Sequence, residues 1–478
     1  MDIDIQVTGG VVRGRTEADL AVFRGIPYAA PPGRFAAPQP VQAWDGVREA
    51  TAFGPPPPQS GAFGMDALGD EGDDWLTVNV WSPDLGGGLP VMVWIQGGAY
   101  TFGRSGLPEY DGAALAHNGV VVVTFNYRVG LEGFGHLDGR PANRGLLDQV
   151  AALEWVRDHI SAFGGEPDRV TIFGQSAGGG SVAALLAMPR AAGLFQRAIA
   201  QSVPGTYFTP ALAADITRGC AAELGLEPAE LSTVDPWMLP AAGDAVAAKM
   251  GQYASRWGRA AHGQIPFAPV VDGDVLPTTP WEGLTGQVEL MVGHTRDEQR
   301  LLTVLSGMLG QVTQAQAIET ADIFAPDPQQ CRESFPDPQE LYEVVRSDWL
   351  FRMPSLHLAE AQLEAGGVVY LYELTWPAPG MGGVFGACHG LDVPLVFGNL
   401  TTGQPAMLIG DHLDAAAGLS AQMRAAWTAF ATHGDPGWPT YDTGLVRVFD
   451  VEPLVTTYPE VVSRRIWRDH PSVLDLTV

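Results

Sequence analysis

The segment Gly174-Gln175-Ser176-Ala177-Gly178 holds a serine whose surroundings suit nucleophilic chemistry. An apolar run, residues 170–173 (VTIF), precedes it, and the small-residue stretch SVAALLAM follows. The order strand, sharp turn, helix is the context in which a G-x-S-x-G turn exposes its serine. Glycines flank the serine because strand and helix must approach closely around a strained backbone. The hydroxyl then stands at a helix N-terminus, where the dipole favours developing negative charge. The chemistry this suits is acyl transfer. The plainer alternative is a surface serine at a glycine-rich helix start. Acyl transfer also needs donors for an oxyanion, and Trp94-Ile95-Gln96-Gly97-Gly98-Ala99-Tyr100 supplies candidates after an earlier strand. Small residues there leave the main-chain N–H groups of Gly98 and Ala99 free to point into a site, with the N–H of Ala177 as a third donor.

The elements that must position these groups show in the apolar pattern. Residues 91–95 (VMVWI), 120–125 (VVVVTF) and 170–173 are short, β-branched and apolar on both faces, as strands are when helices cover both sides of a sheet. Residues 288–292 and 368–374 read as later strands. Between the second and third strands, Leu146, Val150, Leu153, Val156 and Ile160 recur at helical spacing, and Asn143 is placed to cap that helix. Alternating strands and helices predict a mainly parallel sheet in one α/β domain spanning 1–478. Residues 209–259 predict a helical excursion over the sheet edge, residues 341–363 a second helical region, and residues 61–74 an irregular surface loop.

Composition narrows the function classes. The 478 residues carry 54 acidic against 27 basic side chains, a formal charge of −27. That field opposes binding to nucleic acid and to anionic membranes, and biases encounter against anionic esters. A single lysine, Lys249, is followed by methionine, so no P-loop is present. No histidine is followed by glutamate, which excludes the HExxH zinc-hydrolase pattern. Cys220, Cys331 and Cys388 form no CxxC. Together with a start lacking a basic-then-apolar leader, they predict a reduced, cytoplasmic protein. No apolar run is long enough to suggest a membrane span.

Six stretches carry a resemblance: residues 23–40 (FRGIPYAAPPGRFAAPQP), 73–83 (DDWLTVNVWSP), 94–103 (WIQGGAYTFG), 125–135 (FNYRVGLEGFG), 143–179 and 389–399 (HGLDVPLVFGN). The chain resembles the type B carboxylesterase family, which includes the cholinesterases, over nearly its whole length. The resemblance implies an α/β-hydrolase fold with a mixed, mostly parallel central sheet flanked by helices, and with helical excursions covering an active-site gorge. It implies a serine esterase that needs no cofactor or metal and acts on small, uncharged ester substrates, as a monomer or weak homo-oligomer.

In such enzymes the acid lies between serine and histidine along the chain. VELMVGHTRDEQR places Asp297 and Glu298 just beyond a strand, and the residues alone do not choose between them. A solvated charge cluster with Arg296 and Arg300 is the alternative. The resemblance assigns the acid to Glu298 and the base to His389. His294 precedes the acid, His117 and His159 lie in helical patterns, and Cys388 is a bystander beside the base. The chain departs from the family at Gln299, where glycine is usual, at Gln175, where many relatives carry glutamate, and at Trp75, where a loop-closing cysteine is usual. Ser202 matches a buried serine that supports the triad. Ion pairs Arg34–Asp73 and Arg128–Asp148 are implied by the same resemblance. Narrower readings are a catabolic hydrolase of a bulky ester, carbamate or lactone and, more distantly, a non-catalytic neuroligin-like binding module.

Overall fold

The computed structural model describes residues 1–31, 33–61, 72–468 and 473–477. Among the described residues thirteen strands form one sheet: β1 Asp2–Val7, β2 Gly10–Glu17, β3 Leu20–Pro27, β4 Val47–Glu49, β5 Thr77–Ser82, β6 Leu89–Ile95, β7 Val121–Phe125, β8 Gly165–Gln175, β9 Arg197–Gln201, β10 Glu289–Thr295, β11 Val369–Leu374, β12 Leu445–Phe449 and β13 Leu454–Thr457. Their order is β1-β2-β3-β5-β7-β6-β8-β9-β10-β11-β12-β13, with β4 beside β2. The centre, from β7 across to β12, is parallel, while the outer pairs are antiparallel except that β4 runs parallel to β2. The five strands read from the sequence are all present, with ends shifted by a few residues.

Alternation along β6 shows why these strands are apolar throughout. Val91, Val93 and Ile95 join one core layer, and Met92 and Trp94 the other. Helices Arg144–His159 and Ala177–Ala187 pack on the first face, and helix Leu413–His433 on the second. Burial on both faces removes any need for polar residues in the central strands. The excursions are helical as expected. Helices Pro210–Glu223, Leu239–Lys249 and Ala254–Gly263 precede β10, and Pro338–Ser347 runs through a π-turn, Asp348–Arg352, into Met353–Glu364. The loop expected at residues 61–74 falls largely outside the described residues.

Two local expectations need correction. Asn143 stands at the head of helix Arg144–His159, but its side chain does not cap the helix. With φ at +53°, it turns away and exchanges two hydrogen bonds with the Val270 backbone, each 2.7 Å. Asn143 therefore splices the helix start to a distant segment. Arg34 does not meet Asp73. Its guanidinium pairs with Glu132 and also donates to the carbonyls of Leu231 and Val234, because its loop faces helix Gly130–Phe134 and the helical excursion. The acid near Trp75 that finds an arginine is Asp74, which meets Arg48.

The other pair forms as expected. Arg128 holds Asp148 through Nη2–Oδ1 at 2.7 Å and Nε–Oδ2 at 2.8 Å, with both side chains fully buried. Trp75 is buried and donates its indole N–H to Gly72. All three cysteines are free and buried.

Candidate active site

Everything singled out for chemistry lies beyond the carboxyl ends of parallel strands: Ser176 after β8, Gly98 after β6, Glu298 after β10 and His389 in the loop after β11. Open α/β sheets place their ligand sites at this rim. Ser176 has φ +59° and ψ −127°, a conformation costly for a residue with a side chain. It is fixed there by its own N–H, which donates to Gln201 O at 2.9 Å, and by its carbonyl, which accepts from Gly180 N–H at 2.8 Å. The helix that follows presses so closely on β6 that a Cβ at Gly178 would stand 2.0 Å from Ile95 O. Of the ten non-glycine residues with positive φ among the described residues, four are gathered here: Ala99, Tyr100, Ser176 and Ser202. Strain of this kind persists only where the surroundings over-determine it.

The loop after β6 is held from several sides. Tyr127 Oη donates to Gln96 O at 2.6 Å, Gln59 accepts from Gly103 N–H at 2.8 Å, and Gly130 N–H donates to Tyr100 O at 2.6 Å. Gly98 has φ +120°, and a Cβ there would meet Phe102 O at 2.0 Å, so only glycine fits. Among the described residues no acceptor takes the N–H of Gly98 or Ala99. Ala177 opens its helix, where N–H groups lack intrahelical acceptors. The helical excursion meets this loop at a small pocket lined by Ser60, Thr101, Leu131, Leu239 and Phe267.

The adjacent acids take different directions. Glu298 is fully buried and its Oε2 accepts from His389 Nδ1 at 2.5 Å. Its Oε1 accepts from Ser202 Oγ at 2.6 Å and from Thr295 N–H at 2.9 Å. Burial by itself would raise this carboxyl's pKa. The neighbouring His389, then the Ser202 hydroxyl, outweigh burial and hold it below the ordinary value. Asp297 instead accepts from Ala387 N–H at 2.8 Å and pairs with Arg296. Gln299, where family members usually have glycine, has φ −72° and donates its backbone N–H to Ser347 Oγ at 3.0 Å. The position makes no demand that only glycine meets.

His389 is 16% exposed at its side chain, while Glu298 is sealed. The Gln175 amide nitrogen lies 3.1 Å from His389 Nε2 and 3.5 Å from Nδ1, and the Phe351 ring stacks on the imidazole at 4.2 Å. Gln175 is bonded to the serine, so the imidazole stands beside the elbow. No hydrogen bond joins Ser176 Oγ to His389 here, and such contacts commonly tighten only when substrate arrives. Cys388 is buried, and burial raises its thiol far above the ordinary range, which leaves it an inert neighbour.

Two other histidines of the sequence reading, His294 and His159, are engaged elsewhere. His294 is fully buried between Thr295 O at 3.0 Å and Tyr458 Oη at 2.9 Å. His159 meets Thr8. Phe351 escaped the sequence reading: it lies in an apolar stretch, and only the π-turn brings it to the imidazole.

The profile of the carboxylesterase family matches residues 2–333 and 329–445. Para-nitrobenzyl esterase of Bacillus subtilis strain 168 is 38% identical over 485 residues, covering 95% of this chain and 96% of the relative. Phenmedipham hydrolase of Pseudarthrobacter oxydans is 34% identical, covering 91% and 92%. Among solved structures, a Geobacillus stearothermophilus carboxylesterase at pH 6.2 superposes with a TM-score of 0.86 at 33% identity, over 97% of this chain and 99% of that one.

Proposed function

The chain belongs to the carboxylesterase family, with its α/β-hydrolase fold, and is a serine carboxylic ester hydrolase; on that premise we propose that Ser176, His389 and Glu298 are its catalytic triad. The observation that carries the assignment is the 2.5 Å contact from His389 Nδ1 to a buried Glu298, on an imidazole set beside the strained serine. His389 Nε2 takes the proton of Ser176 as Oγ attacks the ester carbonyl. Glu298 orients the ring and stabilises its cationic form. The tetrahedral oxyanion is held by the N–H groups of Gly98, Ala99 and Ala177. The imidazolium returns its proton to the departing alcohol, leaving an acyl-serine. A water, deprotonated by the same base, attacks that acyl group and releases the acid.

The chemistry calls for no metal or organic cofactor. We extend the reading to one catalytic unit spanning the chain, supported by its single sheet. It works in the cytoplasm on small, uncharged esters, without nucleic-acid or membrane partners, as a monomer or weak homo-oligomer. The free cysteines and the charge of −27 support this placement. The second reading is a narrower catabolic hydrolase of a bulky ester or carbamate, favoured by a relative named phenmedipham hydrolase.

The test is covalent. An organophosphate should add once, at Ser176, and Ser176→Ala should lower p-nitrophenyl ester hydrolysis on the order of 10⁴- to 10⁶-fold with the protein still folded. An adduct mapped to another residue overturns the assignment. Rates across p-nitrophenyl esters of increasing acyl length separate the two substrate readings.

A further inference from the structure

One amide nitrogen cannot lie in the imidazole plane and stand 3.1 Å from Nε2 and 3.5 Å from Nδ1 of the same ring. Along the Nε2 lone pair, the far nitrogen would be much more distant. On the carbon side, between the two nitrogens, the amide would overlap Cε1. The Gln175 amide therefore lies over a face of the His389 ring. Phe351 covers a face too, with centroids 4.2 Å apart and planes inclined by 26°. Both groups cannot occupy one face at these distances, so they lie on opposite faces.

We propose that Phe351 and Gln175 form a clamp on the two faces of the His389 imidazole, and that both are positioning residues for the catalytic base. The proposal rests on His389 being that base. Glu298 fixes the ring at one in-plane edge, at Nδ1. A hydrogen bond at one edge still lets the ring rock about that contact. Contacts on both faces remove the rocking and leave the Nε2 edge as the one direction in which the base can act. The clamp also suits the ring's charge cycle. An aromatic face attracts a cation, so Phe351 favours the imidazolium that forms during proton transfer. The neutral Gln175 amide touches the ring without adding a charge to the site.

The backbone is built to hold the clamp. Phe351 sits on the π-turn Asp348–Arg352, a geometry that is rare and frequently found at functional sites. Arg352 on that turn donates to Arg296 O at 3.1 Å, just before the acid, and is anchored by Asp348 at 2.7 Å and Ser463 Oγ at 2.9 Å. At the other end, Ser347 Oγ accepts from Gln299 N–H, just after the acid. The same short segment thus grips the acid's loop on both sides of Glu298 and presents Phe351 to the base. Gln175 is fixed independently, as the last residue of β8 beside the elbow.

The test compares Phe351→Leu, Phe351→Tyr and Gln175→Leu with the parent and with His389→Ala. The readouts are kcat and KM for p-nitrophenyl acetate, organophosphate labelling rate and stoichiometry, and thermal melting. Misplaced catalytic groups cost up to about 100-fold. Phe351→Leu is expected to lower kcat and the labelling rate about tenfold, with KM within about twofold and labelling still reaching one per chain. Phe351→Tyr should recover at least about half of the lost rate, and Gln175→Leu should lower kcat about threefold. An unchanged kcat in Phe351→Leu, a loss confined to KM, or a Phe351→Tyr as slow as Phe351→Leu overturns the clamp. If Phe351→Leu melts before assay temperature, Phe351→Met at the same position replaces it under the same criteria. His389→Ala retaining activity overturns the triad reading instead, so the two failures are told apart.

Discussion

Two histidine–carboxylate neighbours stand close together in this fold and end in opposite states. His389 and Glu298 meet at 2.5 Å, the imidazole partly open to solvent and the carboxylate held below its ordinary pKa. His294 leaves β10 just before that acid, and its Nδ1 is 3.9 Å from Glu373 on the neighbouring strand, both groups fully buried. There burial, aided by Arg352, pushes the imidazole down to about 4. Burial and the charge of Glu460 push Glu373 well up. In the sealed pair burial disfavours the charged form of each partner, whereas in the open pair the carboxylate's charged form is favoured. Residue type is the same in both. The difference lies in contact distance and in what else each carboxylate accepts. Glu298 takes Ser202 Oγ and Thr295 N–H, whereas neither oxygen of Glu373 has a hydrogen bond of ordinary geometry.

The largest expected contrast is between the two acids. Glu298→Gln should reduce kcat by about 10⁴-fold, because an amide neither fixes the right tautomer nor stabilises the imidazolium. Glu373→Gln replaces a carboxyl whose charged form burial disfavours, so kcat should stay within about twofold and stability within about 1 kcal/mol. Steady-state kinetics and urea melts on both variants check this. A large kcat loss in Glu373→Gln would break the comparison.

Arg128 and Asp148 sharpen it from another side. That pair is as deeply buried as His294 and Glu373, yet it is bidentate, and Asp148 also accepts Arg128 N–H at 3.0 Å. Arg128→Ala strands a buried carboxylate and should cost about 3–5 kcal/mol in chemical denaturation, with chemistry affected only through folding.

The smallest effect is in pH. His294 binds its proton in the unfolded chain near its ordinary value and in the folded chain only near pH 4. Between those values the unfolded state holds the extra proton, so this group's contribution is full above the upper value and is lost as pH falls through the window. Asp348 and Asp392, each raised to about 6 by burial, run the other way over much of the same range. The total slope therefore hides the histidine, and a difference measurement exposes it. Relative to His294→Gln, the parent should lose about 1–3 kcal/mol on moving from pH 7 to pH 4.5. Equal slopes in parent and variant would mean that His294 is not held neutral.

What was legible in the sequence was what neighbouring residues dictate to one another. The strand–turn–helix around Ser176, the glycines after β6 and the two-faced apolar strands are local patterns with direct physical causes. The choice of Glu298 over Asp297 was not local. The loop after β11 touches both acids, Asp297 through Ala387 N–H and Glu298 through His389, so the choice turns on which carboxylate meets the imidazole, and the family pattern supplied it. Arg34 shows the limit of analogy: its fork went to Glu132 and two carbonyls of the excursion because loop shape, not sequence pairing, places it. Asn143 carried the right residue type for a cap and spent its side chain on Val270. Phe351 was hidden for the same reason, since a π-turn inside a helical stretch leaves no mark in apolar periodicity.

The three free cysteines make the folded protein report on its own opening. Cys220 lies in the excursion before β10, Cys331 in helix Pro328–Ser334, and Cys388 beside the base, all essentially without solvent contact. Burial raises Cys220 and Cys331 to about 12 and Cys388 further, so a thiol reagent reacts slowly in the native state and readily once a segment parts from the core. Each thiol is thus a clock on a different sector. The order in which they are alkylated under mild denaturant would rank the excursion, the intervening helices and the catalytic rim by the free energy each needs to detach, without a single engineered probe.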